Sequence, residues 1–211
     1  MDGANCRLKL KYTSSREPAV IHSTEQGGSM LRAIVVMGVS GCGKTVVGRL
    51  LAERLGWEFL DADHFHPPEN VARMRRGEPL TDAERAPWLD RLRQRIDAAL
   101  VSPSLGMDRQ HPAAGNCARQ GIVLACSALA KRYRQRLGLS DERMKLVHLD
   151  GPAEVIRARL KERTGHFMPA TLFESQWATL ERPANDERAI TVDVSGSPEE
   201  IVAVVLKGLA G

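Results

Sequence analysis

The sequence lacks long hydrophobic stretches. None of its 211 residues lies in an apolar run near the roughly 18 residues that a membrane-spanning helix needs, so we predict no membrane association. The first 30 residues lack the apolar core of a secretory signal, and they mix polar and charged side chains. We therefore expect a disordered leader over residues 1–30 and a single domain over residues 31–211. An organelle transit peptide, or translation starting at Met30, are the alternatives for this leader.

Cysteine is scarce, and its spacing excludes two kinds of site. The four cysteines form neither a C-x-x-C pair nor a zinc-binding pattern; they are Cys6, Cys42, Cys117 and Cys126. A reduced, cytoplasmic protein is the expectation. The net charge is only +4, and the basic residues are scattered rather than massed among aromatic residues, which make up 4% of the chain. Nucleic acid is therefore not an expected partner.

A phosphate-binding motif is the most informative feature that is present. Residues 38–45 read Gly-Val-Ser-Gly-Cys-Gly-Lys-Thr, which fits G-x-x-x-x-G-K-[ST] and follows the apolar run 33–37. The loop residues expected to bind nucleotide are Gly38, Val39, Ser40, Gly41, Cys42, Gly43, Lys44 and Thr45. In this motif the lysine reaches the β- and γ-phosphates of ATP, and the threonine hydroxyl binds Mg²⁺. We expect the positive electrostatic field at the N-terminus of the helix that follows the loop to lower the pKa of the Cys42 thiol.

The rest of the domain alternates between strands and helices. An amphipathic helix is predicted from Lys44 to a stop at Gly56, and further strands near 58–63, 121–126, 145–149 and 189–194. Later helices are predicted at about 127–137, 152–163 and 198–208, with an irregular surface loop over 101–119. This alternation predicts an α/β fold of the P-loop NTPase type, with a five-stranded parallel sheet in a three-layer α/β/α arrangement.

Two carboxylates end the second predicted strand. Asp61 and Asp63 lie two residues apart, so they share a face, and the carboxyl ends of parallel strands meet at the ligand crevice. One carboxylate there can serve Mg²⁺, and the other can accept a proton from a substrate hydroxyl. Position alone leaves an equal alternative, in which the pair only caps a turn. The third strand ends in Cys126-Ser127 without an aspartate, which argues against a generic ATPase or GTPase.

Several segments from about residue 33 to 207 closely resemble the gluconokinase family, in the order in which that family has them. They are Met37–Thr45, Phe59–Asn70, Gly77–Leu89, Cys126–Leu129 with Tyr133–Arg134, Gly165–Met168, and Gln176 with Thr179–Glu181. The resemblance implies ATP-dependent phosphorylation of D-gluconate to 6-phospho-D-gluconate, a soluble protein and a possible homodimer. It also implies a helical substrate-binding insertion over about 64–100 and a lid over about 163–170.

The resemblance also suggests roles for individual residues. Asp63 is expected nearest the sugar hydroxyl and Asp61 in the outer shell of the magnesium ion. Arg163 is expected on the lid over ATP. The residues expected to bind substrate are Asp63, His66, Asn70, Arg85, Arg134 and His166. A gluconate carboxylate suits a bidentate arginine, for which Arg85 and Arg134 are both candidates.

Two other functions stay open on the sequence. A kinase for another hydroxylated acid, such as shikimate, would share Phe59-x-Asp61-x-Asp63 but not Gly165-His-Phe-Met168. A nucleotide-dependent switch without catalysis is the second alternative, although intact Lys44, Thr45 and both aspartates argue against it.

Overall fold

The computed structural model describes residues 30–101, 121–162 and 172–210. Its strands are β1 (Ala33–Met37), β2 (Glu58–Asp61), β3 (Ile122–Ala125), β4 (Met144–Asp150) and β5 (Ile190–Asp193). Its helices are α1 (Lys44–Leu55), α2 (Pro68–Arg75), α3 (Asp82–Val101), α4 (Lys131–Arg136), α5 (Ala153–Glu162), α6 (Leu172–Thr179) and α7 (Pro198–Ala210). Within the described ranges, no helix combines the length and apolar character needed to cross a bilayer.

The five strands form one sheet in the order β2-β3-β1-β4-β5, and every pairing is parallel. This confirms the predicted fold class. All five residues of β1 are buried, as expected for a central strand covered on both faces. After β1 the chain forms β2 and β3 on one side of this strand, and it then crosses to form β4 and β5 on the other side. The strand order therefore reverses at β1. Ligands of such sheets bind in the crevice at this point.

Two hydrophobic clusters pack on opposite faces of the sheet. Ile34 and Val36 of β1 belong to the cluster that includes α1 and α7. Val35 and Met37 belong to the cluster that includes α3 and α4. Alternate residues of one strand thus serve the two faces, which produces the three layers.

The helix predicted at about 127–137 begins later than expected, at Lys131. Ala128 has a positive φ of 44°, and Ala130 is extended. The carbonyl oxygens of Ala128 and Leu129 accept hydrogen bonds from the Arg134 side chain instead of continuing a helix. By contrast, α1 begins at Lys44 and is capped by Gly56 with φ 67°, as predicted. The irregular loop predicted over 101–119 falls almost entirely outside the described residues.

Candidate active site

The phosphate loop lies between the buried end of β1 and the start of α1. Gly43, just before the helix, has φ 102°, and Gly38 has φ 145°. A Cβ atom on Gly38 would lie 2.6 Å from Sγ of Cys42 and 2.7 Å from the carbonyl oxygen of Leu149. The loop therefore depends on glycine for both its backbone angles and its close packing. It presents the N-terminus of α1 to the crevice, where an anion is stabilised.

Hydrogen bonds connect the end of β2 with the start of α1. The Thr45 hydroxyl donates to Oδ2 of Asp61 at 2.9 Å, and the Asp63 backbone N–H donates to Oδ1 of Asp61 at 3.1 Å. Nζ of Lys44 donates to the Val39 carbonyl oxygen at 2.9 Å. Because both oxygens of Asp61 are engaged, its carboxylate is fixed beside the phosphate loop.

A crevice in front of the phosphate loop brings four of the predicted residues together with the loop residue Ser40, which was also predicted to bind nucleotide. Lys44, Asp63, His66 and Arg85 all line it. They come from α1, from the 3₁₀ turn after β2 and its following residue, and from α3. The crevice therefore joins the lysine of the phosphate loop, a carboxylate and a second cation, a combination suited to phosphoryl transfer to an acceptor that carries an acid group.

Five more crevice residues carry hydroxyl or amide side chains and were given no role from the sequence; they are Ser127, Tyr133, Ser175, Gln176 and Thr179. Oε1 of Gln176 accepts a hydrogen bond from the Ser40 backbone N–H at 2.6 Å, so α6 is attached directly to the phosphate loop. Ser127 follows β3, and the edge rule for parallel sheets could have indicated it. Gln176 lies 136 residues from Ser40, and no local pattern links the two.

The ring of His66 forms part of the crevice wall. Its ring stacks on Trp88 with centroids 4.3 Å apart, and the Trp88 indole N–H donates to the Ala62 carbonyl oxygen at 2.8 Å. Burial, with a smaller effect of the Arg85 charge, lowers the pKa of His66 to about 4. The imidazole is therefore neutral at physiological pH. Its buried Nδ1 has no hydrogen-bond partner among the described residues.

Arg85 places a cation at the crevice from the first turn of α3. Nη1 donates to the Tyr133 hydroxyl at 3.2 Å and lies 3.7 Å from Oδ1 of Asp82, and the side chain is 24% exposed. Among the described contacts, Nε and Nη2 have no partner. That edge of the guanidinium has the geometry to bind a carboxylate through two hydrogen bonds.

Arg134 does not face the crevice, so its predicted substrate-binding role is corrected. Nη1 donates to three carbonyl oxygens, those of Ala128, Leu129 and Glu181, at 2.9–3.0 Å. Nε and Nη2 bind both carboxylate oxygens of Glu187 at 2.5 and 2.9 Å, and the side chain is 1% exposed. Its donors are used within the protein, which leaves Arg85 as the candidate for a carboxylate.

Asn70 is buried and takes a supporting position rather than lining the crevice. Its side-chain Nδ2 donates to the Glu84 carbonyl oxygen at 2.8 Å. Arg73 binds the Glu84 carboxylate at 2.7 Å. These contacts join α2 to α3, and so the predicted insertion is held together as a unit.

The prediction that the pKa of the Cys42 thiol is lowered is wrong. Burial raises the pKa of the Cys42 thiol, and this effect exceeds the opposing effect of the Lys44 charge. The side chain is fully buried. A buried neutral thiol is inert, so Cys42 supports packing behind the loop.

Arg163, His166 and the predicted lid over 163–170 lie outside the described residues, as does the leader over 1–29.

The fold and the crevice define a P-loop kinase that uses a nucleotide and a small-molecule acceptor. A family model described as an AAA domain matches residues 34–183. A gluconokinase of Gluconobacter oxydans is 42% identical over 190 residues, covering 88% of this chain and 95% of that protein. The chain belongs to the gluconokinase family.

Two solved structures are similar along most of the chain. One is a sugar kinase from Janibacter, unliganded, with 42% identity, 85% of this chain and 94% of that chain covered, and a TM-score of 0.72. The other is a gluconokinase from Sinorhizobium meliloti, with 40% identity, 85% and 91% coverage, and a TM-score of 0.68.

Proposed function

We propose that this protein transfers the γ-phosphate of ATP to D-gluconate and forms 6-phospho-D-gluconate. The observation that supports this most is the shared crevice of Lys44, Asp63 and Arg85. A phosphate-binding cation, a proton acceptor and a carboxylate-binding cation suit an acceptor that carries both a hydroxyl and an acid group. The names of the relatives point to the same acceptor.

The phosphate loop would hold the nucleotide. Backbone N–H groups of residues 38–45 and the Lys44 ammonium bind the phosphates, and the N-terminus of α1 adds its positive field. Lys44 would exchange its contact with the Val39 carbonyl for phosphate oxygens. These positive groups stabilise the charge that develops on the transferring phosphoryl group.

A magnesium ion fits beside Thr45 and Asp61. Their oxygens are 2.9 Å apart next to the phosphate loop, and Mg²⁺ accepts few protein oxygens together with waters and substrate phosphates. When bound, the ion neutralises phosphate charge during transfer. Asp61 would act from the outer shell, since its oxygens already accept hydrogen bonds from Thr45 and from the Asp63 N–H.

Asp63 would accept the proton of the attacking hydroxyl. The C6 oxygen forms a bond to the γ-phosphorus, the bond from that phosphorus to the bridging oxygen of ADP breaks, and the hydroxyl proton passes to the Asp63 carboxylate. Arg85 would bind the carboxylate at the other end of the substrate through its Nε and Nη2 edge.

Three further expectations go with this function. Arg163 and His166 would close over the substrates as part of the lid, which would exclude water from the phosphoryl group. The protein would be cytoplasmic and homodimeric. Light scattering after size-exclusion chromatography measures the oligomeric state.

A coupled assay of ADP release tests the proposal. Gluconate, shikimate, other sugar acids and a reaction without acceptor are compared at saturating MgATP. We expect turnover with gluconate and a low background without acceptor. Preference for shikimate would identify a different acid kinase, and equal ADP release without any acceptor would indicate a nucleotide hydrolase or switch.

A further inference from the structure

Arg85 contacts one aromatic side chain from another helix. Nη1 of Arg85 donates to the Tyr133 hydroxyl at 3.2 Å, and the guanidinium carbon lies 5.5 Å from the centre of the Tyr133 ring. Arg85 belongs to α3 and Tyr133 to α4, so the contact joins the insertion to the helix after β3. Both residues line the crevice.

Tyr133 is itself fixed in place. Its side chain is buried, and its hydroxyl donates to the Asp82 carboxylate. Arg132 binds both oxygens of that carboxylate, at 2.9 and 3.3 Å. Burial raises the pKa of Tyr133, so its hydroxyl keeps the proton that it donates to Asp82. The hydroxyl oxygen is then oriented to accept hydrogen bonds, and it accepts from Nη1 of Arg85 and from Nη2 of Arg132, both at 3.2 Å.

Arg132 also limits a competing interaction. Oδ1 of Asp82 lies 3.7 Å from Nη1 of Arg85, close enough to attract the guanidinium away from a ligand. Because Arg132 occupies both Asp82 oxygens, the carboxylate is already neutralised by a nearer partner. Arg85 therefore donates to the neutral Tyr133 hydroxyl at 3.2 Å, and its positive charge stays available to an acid group in the crevice.

We propose that Tyr133, supported by Asp82, is a positioning residue that orders Arg85 for the acid group of the acceptor. This inference rests on the proposed role of Arg85. A free arginine side chain has many rotamers, and ordering it before binding reduces what the substrate must contribute. Tyr133 thereby sets the preference of the enzyme for a sugar acid over a neutral polyol of the same length.

Tyr133→Phe tests the proposal, since it removes the hydroxyl and keeps the ring. We expect KM for gluconate to rise about tenfold, in line with the loss of a hydrogen bond to a charged group. We expect kcat and KM for ATP to change by less than about twofold, because the phosphate loop is untouched. The preference for gluconate over sorbitol, measured as the ratio of kcat/KM values, should fall by a similar factor.

Asp90→Asn is the matched control. It removes the charge of Asp90 and one of its two contacts with Arg136, both at 2.8 Å, which also join α3 to α4 but lie outside the crevice lining. We expect its gluconate KM to be unchanged. A fall in melting temperature for Tyr133→Phe with an unchanged gluconate KM would show a purely structural contact and overturn the proposal.

A double-mutant cycle with Arg85→Met separates this inference from the proposed function. If Tyr133 acts through Arg85, Tyr133→Phe has no further effect on gluconate KM in the Arg85→Met background. An equal rise in both backgrounds would mean that Tyr133 acts on the substrate by itself, which contradicts the proposal. An unchanged gluconate KM in Arg85→Met alone would refute the carboxylate-binding role of Arg85, and with it a positioning role for Tyr133.

Discussion

Replacing Arg134 by methionine removes a buried cation and leaves its partners behind. The Arg134 side chain is 1% exposed and its partner Glu187 is 11% exposed. The substitution leaves the Glu187 carboxylate without its bidentate partner. It also removes a shared donor from the carbonyl oxygens of Ala128, Leu129 and Glu181.

The expected destabilisation is large. Removing one partner of a buried ion pair costs about 3–5 kcal/mol, because the remaining charge stays buried and uncompensated. For a domain of this size each kcal/mol lowers the melting temperature by about 2–4 °C, so a decrease of roughly 6–20 °C is expected. Below the melting transition, gluconate KM should stay within about twofold of the unsubstituted enzyme, since Arg134 is absent from the crevice lining.

Arg136→Met is the matched control, because it removes an arginine from the same helix α4. Its ion pair with Asp90 is exposed, with side-chain exposures of 46% and 52%, so we expect a change of less than about 1 kcal/mol. Melting is followed by circular dichroism, and kinetics are measured well below the transition. A melting temperature within about 2 °C of the unsubstituted protein, together with a raised gluconate KM, would refute the buried role of Arg134.

Three further predictions concern the crevice and its surroundings. Lys44→Ala and Asp63→Asn should each lower kcat at least about a hundredfold with unchanged circular dichroism, because they remove transition-state charge stabilisation and the proton acceptor. Cys42 should react with a thiol reagent only on unfolding, since the thiol is buried and its pKa is raised; mass spectrometry of the labelled protein measures this. The His66 pKa is about 4 in the folded protein and 6.5 in the unfolded chain, so protonation favours unfolding. The contribution of neutral His66 to the free energy of unfolding is therefore complete above pH 6.5. It is lost as the pH falls toward 4, by on the order of 3 kcal/mol. Melting scans of His66→Gln should show a weaker pH dependence over this interval.

Each of these predictions has a contradicting outcome. Near-normal turnover of Asp63→Asn would move the proton-accepting role to another group. Stoichiometric labelling of Cys42 in the folded enzyme would show that the loop opens to solvent. An identical pH dependence for His66→Gln would show that this imidazole is solvated.

Local sequence patterns were sufficient for the phosphate loop and its helix. The glycines, Lys44 and the stop at Gly56 are short-range signals, and the structure has the same start and end for α1. The rule for parallel strand ends also indicated that Asp61 lies at the crevice, and the structure places it 2.9 Å from the Thr45 hydroxyl, 16 residues away. Nearby residues determine the geometry of the loop, whereas β2 is positioned by its pairing with β3.

Long-range packing determines three features that were predicted incorrectly from the sequence: the position of Arg134, the pKa of Cys42 and the start of α4. Arg134 is buried by its contacts with residues 181 and 187, which lie 47 and 53 positions away, so the resemblance that suggested a crevice residue could not reveal its burial. Cys42 experiences two opposed effects, the Lys44 charge and burial, and only the packed structure shows that burial is larger. The late start of α4 depends on the same Arg134 side chain, which binds the carbonyl oxygens before it.

Phosphorus NMR of the complete reaction tests the central claim most directly. Purified protein is incubated with MgATP and gluconate, and the phosphorus-containing products are identified and quantified against the ADP formed. We predict one equivalent of 6-phospho-D-gluconate for each ADP, with no matching rise in inorganic phosphate. Inorganic phosphate in place of the ester, or an ester on a different hydroxyl, would contradict transfer to C6 of gluconate in this crevice.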